Sequence, residues 1–82
     1  MKPYYQLTQA IHDSVFELIR ACEKTNLGYV KFYHHVASDK KEGEFSLSEY
    51  HGYWELVVSV GANRDIYKVA EGKINYNYSE HD

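Results

Sequence analysis

Apolar residues recur at helical spacing over the first third of the chain. Leu7, Ile11, Val15, Leu18 and Cys22 follow one another at steps of four, four, three and four, a single stripe that Phe16 and Ile19 widen. Gln9, Asp13, Glu17, Arg20 and Glu23 fall on or near the opposite side. The spacing predicts a helix over residues 5–25. Pro3 suits its first turn, and Lys24 complements the dipole in its last turn. Asn26 and Gly28 can both take the left-handed conformation that ends a helix.

After Gly28 the period changes to two. Over 29–37, Val30, Phe32, His34 and Val36 share one face, and Tyr29, Lys31, Tyr33 and His35 share the other. Residues 38–43 read as a polar turn. A strand over 45–50 competes with a helical turn, because Ser46 and Glu49 have capping-box spacing. The clearest strand is 53–60, with Trp54, Leu56, Val58 and Val60 facing one way and Tyr53, Glu55, Val57 and Ser59 the other. Residues 61–65 read as a loop, 66–70 and 73–78 as a hairpin turning at Glu71-Gly72, and 79–82 as a frayed tail. The pattern predicts one small α+β domain over 1–82, an N-terminal helix packed on one face of an antiparallel meander of four to five strands. A single helix covers one face of such a sheet and leaves the other to water or a partner.

The length changes this picture by making the core thin. With 82 residues and one cysteine, the chain has no intrachain disulfide to reinforce it, and no Cys or His spacing that suggests zinc. A partner that binds only the folded form stabilises such a domain. Charge divides unevenly. Residues 1–41 carry six Lys or Arg against four Asp or Glu, a net +2, and residues 42–82 carry three against eight, a net −5. The acidic half disfavours nucleic acid and fits a basic protein. No apolar run of membrane-spanning length occurs, so no membrane partner is expected. The lone cysteine and the absence of a signal-like N-terminus point to the cytoplasm.

No catalytic constellation stands out, and the expectation is a protein that is not an enzyme and takes no cofactor and no metal. His34 and His35 are adjacent in a strand and point to opposite faces. Cys22 lies on the apolar stripe and reads as a small buried hydrophobe. No nucleophile elbow, P-loop or dinucleotide fingerprint is present.

Tyrosine is the unusual feature, at nine of 82 residues. Tyr combines rigid contact area with a polar tip and is enriched in protein interfaces. Tyr67, Tyr76 and Tyr78 read as residues of the core's rim. Tyr29, Tyr33 and Tyr53, with Glu55 and His35, project from the uncovered face and form the expected partner-binding set. The size, acidity and helix-then-meander order resemble those of small inhibitors with which bacteria and phages neutralise a toxin or defence enzyme. That resemblance is one of class and assigns no residue. It implies an inhibitor or immunity-type factor that occludes a larger, basic protein. Two readings stand beside it: an obligate homodimer with a ligand or catalytic site at its interface, built on His34, His35 or His51, and a nucleic-acid-binding sheet.

Overall fold

In the computed structural model, which describes residues 2–36 and 41–81, the helix α1 spans Gln9–Thr25. Thr8 caps it, its Oγ1 accepting from the Ile11 N–H at 3.2 Å. Ile11, Val15, Ile19 and Cys22 form its buried stripe, and Leu18 and Phe16 flank it half-buried. Asn26 takes the left-handed conformation, φ 59°, and the Leu27 N–H closes onto the Cys22 carbonyl at 2.9 Å.

The helix therefore starts four residues later than the periodicity alone predicts. The reason lies about 60 residues away in the chain. Asp65 is a fully buried carboxylate. Its Oδ1 and Oδ2 accept from the Tyr4 and Tyr5 backbone N–H groups, each at 2.9 Å. The Tyr67 hydroxyl donates to the Tyr5 carbonyl at 3.3 Å. These bonds hold the segment before Thr8 as a bent, non-helical strap across one end of the core.

Five strands follow: β1 Tyr29–His35, β2 Glu42–Tyr50, β3 Tyr53–Val60, β4 Asn63–Ala70 and β5 Lys73–His81. They form one antiparallel sheet in the order β1-β2-β3-β4-β5, which is the expected α+β meander on one helix. Each of the last three connections is a two-residue turn, closed by the pairs Tyr50↔Tyr53, Val60↔Asn63 and Ala70↔Lys73. In the Glu71-Gly72 turn both residues have positive φ, 53° and 72°, as a primed hairpin turn requires.

Several boundaries differ from the sequence reading. Residues 42–44 belong to β2, and the Ser46–Glu49 segment is strand rather than helical turn, because Phe45 and Leu47 alternate into the core between two paired neighbours. Residues 63–65 are strand rather than loop. The alternation there was hidden because its inward positions, Asn63 and Asp65, are polar. Residues 79–81 are strand rather than frayed tail: Ser79 donates to Asp65 at 2.7 Å and shares a 2.6 Å hydrogen bond with Tyr76. Residues 37–40 of the expected strand and turn, and Asp82 of the tail, lie outside the described residues.

The core sits between α1 and the inner face of the sheet, built on Phe45, Leu47, Leu56 and Val58, with Phe32 stacked on Phe45 at 4.9 Å. Between Tyr76 and Tyr78 β5 carries one extra residue, since Ile66 pairs with Tyr78 and Tyr67 with Tyr76. The bulge turns Tyr78 to the outer face, away from the core rim where sequence placed it; Tyr67 and Tyr76 stay inward.

Candidate functional site

No element of the described chain covers the outer face of the sheet. The register lays out its rows. One row reads Tyr33, Glu44, Ser59, Arg64, Glu80 across the five strands; the next reads Lys31, Ser46, Val57, Ile66, Tyr78; the third reads Tyr29, Ser48, Glu55, Lys68, Asn75. Tyr50 and Tyr53 close the end beyond the third row, their rings 6.2 Å apart. Tyr29, Tyr33, Tyr50 and Tyr78 are 52, 58, 45 and 42% exposed. Such exposure of so many large rings on one face is unusual for a surface that meets only water.

The five residues expected at the site share this face, as alternation requires. They do not form one patch. Tyr53 and Glu55 lie on β3, and β2 separates them from Tyr29, Tyr33 and His35 on β1. Tyr29 shares a row with Glu55, and Tyr53 sits beside that row. Tyr33 is two rows further along, so strand geometry puts it roughly 20 Å from Tyr53. His35 lies beyond Tyr33, opposite Glu42. The structure thus gathers Tyr29, Tyr53 and Glu55 around Tyr50, a residue whose face sequence reasoning left unassigned, and leaves Tyr33 and His35 at the far end.

Polar contacts fix these rings. Lys68 stands over the Tyr53 ring, its Nζ 4.5 Å from the centroid. At the far end Glu44 Oε1 accepts from the Tyr33 hydroxyl at 3.2 Å and pairs with Lys31 Nζ at 3.3 Å. The hydrogen bond and charge of Glu44 push the Lys31 ammonium above its ordinary value. By alternation the face carries Lys31, Arg64, Lys68 and Lys73 against Glu42, Glu44, Glu55 and Glu80, four charges of each sign. The acidic excess of the second half is therefore not on this face.

The histidines considered for an interface site lie apart. His34 is half-buried on the inner face with Nδ1 2.8 Å from the His35 carbonyl oxygen, and His51 sits in the β2–β3 turn at the opposite end of the sheet. Among the described residues no group of three His, Cys, Asp or Glu side chains is placed to hold a metal ion, and no helix is long and apolar enough to cross a membrane. No protein-family model, curated protein or solved structure matches the chain.

A groove of about 670 Å³ opens between the C-terminal half of α1 and the β2–β3 and β4–β5 turns. Trp54, Val69, Ile19 and Phe16 line it. Its walls come from three segments far apart in sequence, 16–28, 49–54 and 69–72, so no local pattern could have announced it.

Proposed function

We propose that this chain is a non-enzymatic binding protein, an inhibitor or immunity-type factor, that occludes a larger protein with the uncovered face of its sheet. One observation carries the reading: Tyr29, Tyr33, Tyr50 and Tyr78 remain exposed on one face of a five-strand sheet. The cluster of Tyr29, Tyr50 and Tyr53, with Glu55 and Lys68 beside it, supplies aromatic anchors ringed by both signs of charge. Val57, half-buried in the middle row, gives the face an apolar centre. Anchors, apolar centre and polar rim are the anatomy of a protein interface. The balanced charge suits a partner with a mixed surface. Tyr33 and His35 serve its periphery.

The test is affinity capture from the native host with the immobilised chain and with its Tyr29→Ala and Tyr50→Ala variants. Each ring is exposed, so each variant should melt within about 1 kcal/mol of the parent. A stoichiometric protein held by the parent should bind each variant at least tenfold more weakly, since a central Tyr anchor is worth about 2 kcal/mol. Tyr33→Ala should weaken it less. Equal retention by all four chains would remove this face as the site.

A second reading draws on β1. This edge strand is seven residues long, with no proline and no bulge, whereas the other edge, β5, is bulged. Such an edge can pair with a second copy. Sedimentation at micromolar concentration decides it, and a folded monomer would exclude the obligate dimer.

A further inference from the structure

Carboxylates from both halves of the chain gather away from the open face. The groove beside α1 continues along the helix into a shallower depression through Phe16, Arg20 and Gly72. Around the two, Asp13, Glu17, Glu23, Glu49 and Glu71 face a single cation, Arg20. Below this rim the floor is apolar, with Trp54 and Val69 buried at its base and Phe16 half-buried in its wall. Leu27 stands exposed at the mouth. A carboxylate rim over an apolar floor is complementary to one kind of occupant: a polypeptide segment that carries Lys or Arg beside apolar anchors.

We propose that this groove is a second binding site, distinct from the open face, and that it takes a cationic segment of a protein with apolar side chains seated on Trp54 and Phe16. The volume suits a few side chains rather than a folded surface. The site does not depend on the open-face reading. Two of its carboxylates, Glu49 and Glu71, come from the acidic second half, and Asp13, Glu17 and Glu23 come from the helix.

Trp54 is the only tryptophan and lies in the floor of the groove, so its fluorescence reports on occupancy there. The probe is an amphipathic Leu/Lys peptide of about 15 residues without Trp or Tyr, compared with its Leu/Glu counterpart and with oligolysine. The Leu/Lys peptide should shift Trp54 emission saturably, the Leu/Glu peptide should not, and oligolysine should bind more weakly. In the chain carrying Glu23→Gln, Glu49→Gln and Glu71→Gln, affinity should fall about tenfold, as three surface charge pairs each worth a factor of about two predict. All three carboxylates are exposed, so this chain should fold, and its urea midpoint checks that. Leu27→Ser should also weaken binding, while Tyr29→Ala on the open face should not. Amide shifts in the labelled parent should map to the groove. No saturable change, equal response to both amphipathic peptides, oligolysine binding as well as Leu/Lys, unchanged affinity in the neutralised chain, or shifts on the open face would each overturn the proposal.

Discussion

Asp65→Ala is the substitution from which the fold should suffer most for the fewest atoms removed. The carboxylate is fully buried and accepts three hydrogen bonds, from the Tyr4 and Tyr5 N–H groups and from the Ser79 hydroxyl. Alanine leaves two backbone donors and one hydroxyl facing a void. An orphaned buried donor costs about 1–3 kcal/mol, and relief of the carboxylate's own desolvation offsets part of the total. A net loss of about 3–5 kcal/mol follows. A domain of 82 residues has roughly 4–12 kcal/mol to lose. The variant should therefore lie near its unfolding threshold. Asp65→Asn keeps an acceptor for Tyr4 and Ser79 but turns an NH₂ toward the Tyr5 N–H, and should lose about half as much. Urea unfolding followed by Trp54 emission measures both, and amide exchange at Tyr4 and Tyr5 shows whether the strap lets go first. If Asp65→Ala unfolds within about 1 kcal/mol of the parent, the strap does not depend on this carboxylate and the account of the late helix start is wrong.

Two further outcomes rest on local geometry. Burial, the Asp65 charge and Tyr76 push the Tyr67 phenol above its ordinary value near 10, so above that pH the folded chain keeps a proton that the unfolded chain releases. Stability should be insensitive to this group below about pH 10 and fall as pH rises beyond it. In Tyr67→Phe that part of the alkaline loss should vanish, while about 1 kcal/mol goes with the bond to the Tyr5 carbonyl; urea midpoints between pH 7 and 11 separate the two. Thr8→Ala removes the acceptor for the Ile11 N–H and should lower stability by about 1 kcal/mol, read from the same unfolding curves.

What could be read from the sequence was whatever a single element decides for itself. The helix interior and β3 were legible because Ile11, Val15, Ile19 and Cys22, and then Trp54 to Val60, keep an unbroken period against one core. The faces of Tyr29, Tyr33, His35, Tyr53 and Glu55 followed from the same alternation. What escaped was decided between elements. Asp65 ends the strap, extends β4 and holds Ser79 in β5, yet in sequence it is one carboxylate in a polar stretch. One extra residue in β5 moves Tyr78 to the other face. The distance between Tyr33 and Tyr53 depends on β2 lying between their strands, which alternation cannot express.

The width of the sheet explains why the chain has two surfaces to offer. Five strands about 4.8 Å apart span roughly 19 Å, whereas a helix with its side chains is about 10 Å across. One helix cannot close the inner face. At the Asp65 end the strap completes the cover, with Tyr5 and Leu7 packed on the core. At the other end no counterpart exists among the described residues, and the space left over is the groove. The β2–β3 turn stands at that end and belongs to both surfaces. Tyr50 and Tyr53 point outward to the open face, while their neighbours Glu49 and Trp54 point inward to the groove. A shift of this turn must therefore move anchors on both sides. Occupancy of one site is coupled to the other wherever a partner displaces the turn, and the coupling acts equally in both directions. The Leu/Lys peptide should thus change the affinity for the captured partner by the same factor by which the partner changes the affinity for the peptide. Competition titrations in both orders measure the two factors, and unequal factors would mean that the two ligands do not meet on one folded chain.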